Sequence, residues 1–249
     1  MNDHPFDVDA AFGDDYLHFY SHVLGEERAS ADTAAAVALG DLRAGMRVLD
    51  APCGQGRMAV RFAERGMAVT GIDRSAAFLE LAAAAAAQRG VEVDLREGDL
   101  RALPVEGPFD AVVCWFTSFG YFSDDDNAAV LREFRRVLAP GGVLLVDTLS
   151  HDGYVRSFTE APEAIVVEVD GDLLVDRNRF DVATGRVVCH RVTVRGGATR
   201  EARFFIRLPT VPEWRRWLAD AGFSTVTISD PDGNELDLDA GRLVVRAVA

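Results

Sequence analysis

The stretch from Met46 to Asp73 constrains the fold of this chain more than any other part of its sequence. An apolar run ends in Asp50, a glycine-rich turn opens an Ala-rich helical segment, and a second apolar run ends in Asp73. Parallel strands need a crossover such as a helix between them, and the turn after the first strand is a common nucleoside site. The stretch therefore predicts a strand–turn–helix–strand unit with a ligand site beyond the carboxyl ends of its strands.

Further apolar runs extend this unit into a sheet. Strands are predicted at 46–50, 67–72, 91–96, 109–115, 143–147, 223–229 and 242–248. Apolar stripes and capping residues predict helices at 30–39, with Ser30 as N-cap, and at 57–65, 75–90, 123–138 and 213–221. Because strands that alternate with helices form a parallel sheet covered on both faces, we expect an α/β fold. The predicted architecture is a doubly wound, Rossmann-like sheet of seven strands.

The pattern changes after residue 150. Four strand-like runs, at 164–169, 172–182, 186–195 and 200–208, are separated by short glycine-containing turns. Such turns predict β-hairpins, and therefore an antiparallel β-meander inserted into the main fold. We expect residues 151–208 to form this inserted sheet, and residues 1–150 with 209–249 to form the core domain.

The N-terminal segment, residues 1–28, carries aromatic side chains at helical spacing. Their common face predicts a helix that packs on the domain. A second interpretation is that this helix is a lid, whose Tyr16 or Tyr20 reaches the ligand.

Composition excludes several functions. All 26 basic residues are arginine, so neither a Schiff-base lysine nor the lysine of a P-loop is available. The net charge of −14 argues against nucleic acid as a partner. The three cysteines are far apart, which fits a reducing cytoplasm and gives no metal-ligand spacing, so we expect no metal. No signal peptide or apolar run long enough to span a membrane is evident.

The charge near the glycine-rich turn distinguishes between two candidate ligands. The segment from Gly54 to Ala59 matches the dinucleotide pattern G-x-G-x-x-G/A, and Asp73 suits a ribose diol with either ligand. Asp50, just before the turn, would repel a pyrophosphate and attract a cation. At an effective dielectric constant of ~20, opposite charges ~4 Å apart gain about 4 kcal/mol before desolvation. S-adenosylmethionine (SAM) carries a sulfonium and an amino group and no phosphate, so Asp50 favours SAM over a nicotinamide dinucleotide.

Five motifs, in order, resemble those of the class I SAM-dependent methyltransferases. They are 49–56, 71–75, 97–100, 138–142 and 221–223. The resemblance implies SAM as cofactor and S-adenosylhomocysteine (SAH) as product, with Asp73 at the ribose and Asp99 at the adenine amine. The implied cofactor-binding residues are Asp50, Ala51, Cys53, Gly54, Gly56, Asp73, Arg74, Asp99, Leu100, Trp115 and Phe116, joined by Tyr16 and Tyr20 of the lid helix. Pro52 departs from the pattern, because the family often has glycine there and proline lacks an N–H.

The inserted sheet and the tyrosine-bearing N-terminal helix resemble those of small-molecule methyltransferases, including enzymes that methylate amino groups of nucleotide-linked sugars. This implies a small-molecule acceptor. The inserted sheet would then either cover the acceptor site or form the face of a homodimer.

Methyl transfer requires alignment of the acceptor and, where the acceptor carries a proton, a base. The loop at 115–122 follows the fourth predicted strand at the carboxyl edge, and the resemblance implies that Tyr121 faces the acceptor. Candidate bases are His151, which follows the fifth strand, His190 in the inserted sheet and His18 on the lid helix. The face that His190 shares with three valines is more typical of a core residue.

The function predicted from the sequence is therefore a cytoplasmic SAM-dependent methyltransferase, acting on a nitrogen or oxygen atom of a small molecule. The Ala- and Arg-rich composition associates the chain with bacterial secondary metabolism. The alternatives are an NAD(P)-dependent oxidoreductase with a Rossmann fold and a non-catalytic SAM-binding protein.

Overall fold

The computed structural model of this protein describes residues 12–21, 23–158 and 164–249. Its helices are α1 Asp14–Tyr20, α2 Glu26–Gly40, α3 Ala59–Glu64, α4 Ala76–Arg89, α5 Asp124–Val137, α6 His151–Phe158 and α7 Val211–Asp220. Its strands are β1 Arg47–Asp50, β2 Ala68–Asp73, β3 Asp94–Glu97, β4 Phe109–Cys114, β5 Leu138–Leu149, β6 Ile165–Val169, β7 Asp172–Asp181, β8 Arg186–Arg195, β9 Ala198–Arg207, β10 Thr225–Ser229 and β11 Arg242–Val248. Residues 1–11 of the predicted lid segment lie outside the described residues.

The main sheet has seven strands in the order β10-β11-β5-β4-β1-β2-β3. The strands from β5 to β3 pair in parallel, whereas β11 is antiparallel to both of its neighbours. The central strands β1 and β4 are almost entirely buried, as expected for parallel strands covered on both faces. The predicted α/β fold class is confirmed.

Two apolar layers cover the sheet, one on each face. On one face, α5 and α7 contribute Phe134, Trp214 and Leu218 to the core. On the other face, α2 and α3 contribute Ala36 and Phe62. Helices on both faces of one sheet give the doubly wound arrangement that the alternating pattern predicts.

The inserted segment forms a separate four-stranded antiparallel sheet in the order β6-β7-β8-β9. We call the face of this sheet that carries Asp176, Cys189, Arg191 and Phe204 the inner face, because all four side chains are buried. The opposite, outer face includes Val194, which is 37% exposed. A short helix, α6, precedes this sheet and was not predicted.

Several boundaries differ from the sequence predictions. The predicted N-cap Ser30 is wrong, because α2 begins at Glu26 and its N-cap is Gly25. Glu26 and Glu27 occupy its first turn, where carboxylates interact favourably with the helix dipole. Helix α7 begins with a capping box, in which Thr210 and Glu213 bond each other's backbone N–H groups. Among the described residues, no helix is long and apolar enough to cross a membrane.

Candidate functional site

A cleft of about 1150 Å³, measured out to its open mouth, lies beyond the carboxyl ends of β1, β2 and β4. The side chains along it come from the glycine-rich turn, the ends of β2 and β3, the loop after β4, and the segment containing α1. They include Phe12, Tyr16, Asp50, Pro52, Cys53, Gly54, Arg57, Asp73, Arg74, Phe78, Asp99, Leu100, Trp115, Phe116, Thr117, Tyr121 and Phe122. This position is where open α/β sheets bind their ligands.

Asp73 holds the glycine-rich turn against the end of β2. Its Oδ2 accepts a hydrogen bond from the Gly54 amide at 2.9 Å, and its Oδ1 accepts one from the Ser75 amide at 2.9 Å. Gly54 and Gly56 both have positive φ, which glycine adopts without strain. A Cβ at Gly56 would also lie 2.8 Å from that of Ala82, so glycine allows α4 to pack closely against the turn. Gly56 faces this helix and is not part of the cleft wall.

Asp50 is the more deeply buried of two buried carboxyl groups that line the cleft, the other being Asp73. Burial raises its pKa to about 7, and the nearby carboxylate of Asp73 acts in the same direction. The guanidinium of Arg57 and the amide of Ala59 oppose this rise. A cationic ligand in the cleft would favour the ionised form further, because it would add a second positive charge to that of Arg57 near the buried carboxylate. Ala51, the next residue, is fully buried and uses its amide to pair with Val113, so it adds no side chain to the cleft.

Asp99 and Leu100 reach the cleft from the end of β3. The carboxylate of Asp99 forms a bidentate pair with Arg101, with N–O distances of 3.0 and 2.7 Å. This pair lowers the pKa of Asp99, so its carboxylate stays ionised. The Arg101 guanidinium in turn lies 4.7 Å from the ring centroid of Phe122.

The loop after β4 is held in an unusual backbone conformation by Asp147. Phe116 and Thr117 have φ values of +61° and +57°, a region that costs non-glycine residues about 1–3 kcal/mol. Asp147 supports it, since the Phe116 amide donates to its Oδ2 at 2.8 Å and the Thr117 amide to its carbonyl at 2.9 Å. Within the described structure, Trp115 Nε1 and Thr117 Oγ1 are buried along the cleft without hydrogen-bond partners.

Arg57 is a cleft residue that the sequence analysis did not select. Its side chain is 10% exposed and pairs with Asp32 at 2.6 Å. Its guanidinium lies 5.2 Å from the Phe116 ring centroid, and those of Arg28 and Arg242 approach the same ring at 5.5 and 5.4 Å. The available signal was its place directly after Gly56, at the end of the glycine-rich turn.

Aromatic rings from the segment containing α1 and from the loop after β4 form part of the cleft wall. The ring of Phe12 contacts those of Tyr16 and Tyr121, with centroids 5.1 and 5.3 Å apart. Burial raises the pKa of Tyr16 and of Tyr121 well above that of a free phenol, so both hydroxyls stay protonated. Tyr20 is not part of the cleft wall, because it stacks behind Tyr16 at 4.7 Å.

The structure does not bring the three candidate histidine bases into this cleft. His18 lies 3.1 Å from a carboxylate oxygen of Asp172, at ion-pair distance but without hydrogen-bond alignment. Nδ1 of His151 bonds Asp152 at 2.7 Å, and its ring packs on Phe180.

The third candidate, His190, projects from the outer face of the inserted sheet. There it bonds Glu201 at 2.9 Å. The outward direction follows from the strand pattern, since the alternate residues of β8 are the buried ones.

Comparison with known proteins gives a consistent result. Residues 48–142 match the family described as a methyltransferase domain. A protein of Geobacillus sp. (strain WCH70) that carries a methyltransferase name is 29% identical over 192 residues, covering 74% of this chain and 76% of that protein. The dTDP-4-amino-2,3,4,6-tetradeoxy-D-glucose N,N-dimethyltransferase of Saccharopolyspora spinosa is 32% identical over 150 residues, covering 59% and 56% of the two chains.

A solved structure shares the fold over most of its length. SAM-bound CalS10, an amino pentose methyltransferase from Micromonospora echinaspora involved in calicheamicin biosynthesis, superposes with a TM-score of 0.62 at 24% identity. The match covers 90% of this chain and 91% of that structure.

Proposed function

From the premise that this chain is a SAM-dependent methyltransferase, we propose that it transfers a methyl group to an amino nitrogen of a small molecule. The observation that carries the choice of nitrogen is the chemistry of the cleft wall. Besides the carboxylates of Asp50, Asp73 and Asp99, which are assigned to SAM below, the described residues of that wall offer protonated tyrosine hydroxyls and no histidine. A hydroxyl acceptor needs a base to remove its proton, whereas a neutral amine already presents a lone pair.

The charged groups of the cleft match the two ends of SAM. When bound, SAM supplies a methyl group attached to a sulfonium, and the sulfur departs as the neutral thioether of SAH. Asp50 would face the positive charge, and Arg57 would hold the methionine carboxylate, since an arginine fork suits a carboxylate. This assignment explains why the buried carboxyl group of Asp50 and the nearly buried guanidinium of Arg57 both line the cleft.

The polar groups at the other positions also fit. Asp73 keeps lone pairs for the ribose hydroxyls beyond the two amides that it already binds, and Asp99 would accept from the adenine amine.

The aromatic wall assists the reaction by contact and by exclusion of water. The rings of Tyr16, Phe116 and Tyr121 offer π faces, which attract sulfonium and ammonium groups. The neutral Tyr121 hydroxyl can donate or accept a hydrogen bond at the acceptor and so orient its lone pair. Because this phenol does not act as a base, the amine enters as the free base and loses its surplus proton to solvent after transfer.

We further propose that the acceptor is an amino sugar carried on a nucleotide, used in bacterial secondary metabolism. The support is the similarity to the Saccharopolyspora sugar N,N-dimethyltransferase and the shared fold with the amino pentose methyltransferase. As part of the same proposal, the enzyme acts in the cytoplasm, where its three unpaired thiols would remain reduced. It would not bind nucleic acid, given its net charge of −14.

The experiment supplies SAM together with nucleotide-linked amino sugars, each matched to an analogue with a hydroxyl in place of the amino group. SAH is measured by chromatography and the methylated product by mass spectrometry. We expect turnover with the amines and none with the hydroxyl analogues. Turnover with the hydroxyl analogues alone would overturn the assignment of nitrogen.

A further inference from the structure

An ion pair is buried inside the inserted sheet, away from the cofactor cleft. Asp176 of β7 and Arg191 of β8 lie directly opposite each other in the strand register. The Arg191 guanidinium bonds both carboxylate oxygens of Asp176, each at 2.7 Å, and both residues are buried. Burying two charges carries a desolvation cost that a well-packed apolar pair of similar size avoids. We therefore asked what the charged pair contacts.

Arg191 reaches across to helix α1. Its Nη2 donates a hydrogen bond to the Tyr20 hydroxyl at 2.9 Å. The same guanidinium lies 5.5 Å from the Tyr20 ring centroid and 5.1 Å from that of Phe204. Asp176 leaves the fork of Arg191 little freedom to turn, so the position of Tyr20 is determined from inside the inserted sheet.

The position of Tyr20 in turn limits the position of Tyr16 in the cofactor cleft. Tyr16 and Tyr20 are four residues apart on one helix face, and their rings stack with a centroid distance of 4.7 Å and an interplanar angle of 23°. Tyr16 lines the cleft, and its ring also lies 6.4 Å from that of Phe78, another cleft residue. A continuous series of contacts therefore runs from Arg191 through Tyr20 to Tyr16.

Helix α1 depends on such contacts for its position. It has seven residues, which is too short to be stable in isolation. Its other polar contacts with the inserted sheet are more exposed, namely Asp15 with Arg195 and Arg200, and His18 with Asp172. Exposed ion pairs contribute little. The buried Arg191 is thus the main polar anchor of the helix.

We propose that Arg191, oriented by Asp176, is a positioning residue that holds Tyr16 over bound cofactor through Tyr20, and so slows cofactor release. The proposal rests on SAM and SAH binding in the cleft, but not on the identity of the methyl acceptor. It connects the inserted sheet, which was predicted either to cover the acceptor site or to form a dimer face, to cofactor retention on the main sheet.

The test measures SAH dissociation from the full-length protein by stopped flow, with the fluorescence of Trp115 in the cleft as reporter. Tyr20→Phe removes the hydroxyl that Arg191 binds and keeps the stacked ring. We expect about tenfold faster dissociation, as for the loss of a hydrogen bond to a charged group. Arg191→Lys keeps the charge but not the fork, so it should also accelerate dissociation. His190→Gln, on the outer face of the same strand, is the matched control and should leave the rate unchanged.

A purely structural role predicts a different result. The variants would then lower the melting temperature while SAH dissociated at the rate of the unaltered protein. An unchanged dissociation rate in Tyr20→Phe overturns the proposal whatever the melting temperature does. Because no methyl acceptor is present, failure of the proposed amine chemistry would not affect the outcome.

Discussion

The backbone amide of Gly54 donates a hydrogen bond to Oδ2 of Asp73, at a distance of 2.9 Å. This bond joins the glycine-rich turn after β1 to the end of β2, and the second oxygen of Asp73 binds the Ser75 amide at the start of α4. One carboxylate thus fixes three elements around the cleft that it lines. The structural role of Asp73 and the binding role proposed for it are therefore coupled.

Asp73→Ala should lower both stability and cofactor affinity. It leaves two amides without their acceptor, at a cost of about 1–3 kcal/mol each where they are shielded from water. It also removes the group proposed for the ribose, so we expect SAM binding to disappear from calorimetry. Asp73→Asn is the matched control, because its single carbonyl keeps one of the two amide bonds. It should unfold at a temperature between those of the other two proteins, and SAM affinity unchanged in Asp73→Ala would contradict the assignment.

Arg57→Gln should weaken SAM binding by about tenfold to a hundredfold, which corresponds to a charge-assisted hydrogen bond of roughly 1.5–3 kcal/mol. The partner for this bond is the methionine carboxylate. A matched ligand, 5′-methylthioadenosine, has neither this carboxylate nor the amino group, so its affinity should not change. Titration calorimetry of both ligands with both proteins gives the comparison. An equal loss for the two ligands would mean that Arg57 supports the cleft without binding the carboxylate.

The main sheet was predictable because burial on both faces leaves continuous apolar runs in the sequence, as in β4 and β5. The glycine-rich turn and its carboxylates were predictable for a related reason. Glycine at positive φ and an acid at a strand end are local requirements, visible without knowledge of distant contacts.

The inserted sheet shows where the sequence pattern stops being informative. The valines beside His190 suggested a buried face, but these residues lie on the outer face of β8. The buried face instead carries Arg191, although a charged residue in an alternating strand normally indicates the exposed face. Only the pairing with Asp176 of another strand makes its burial possible, and a contact between strands cannot be read from one strand alone. Arg57 was missed for the same reason, because its partner Asp32 lies on α2.

The pH dependence of turnover should follow the acceptor amine. If the amine reacts as the free base and no residue of the cleft accepts its proton, kcat/KM rises with pH and levels off at the pKa of that amine. Two acceptors with different amine pKa values should therefore give profiles displaced by the same difference. Measured initial rates over a range of pH provide the test. Profiles that coincide for both amines would point to a group on the protein as the base.

Asp50 predicts a dependence of stability on pH. Its pKa is about 7 in the folded protein, against an ordinary value of 3.8. For an acid with a raised folded pKa, the stabilisation is fully present below the unfolded value and is lost as the pH rises through the folded one. The ligand-free protein should therefore lose up to a few kcal/mol from this group between about pH 4 and pH 7. Asp50→Asn, which cannot ionise, should lack this component in denaturant titrations.

The affinity for SAM should increase as the pH rises, whereas the stability of the ligand-free protein should decrease. A cation beside Asp50 favours the ionised carboxylate, so binding at about pH 5 requires the release of a proton and binding at about pH 8 does not. SAM should bind more weakly at the lower pH, and calorimetry in buffers of different ionisation enthalpy should detect the released proton. SAH, which lacks the sulfonium charge, should show a smaller dependence, and Asp50→Asn should show none from this group. Equal SAM affinity at both pH values would mean that the ligand's positive charge lies away from Asp50.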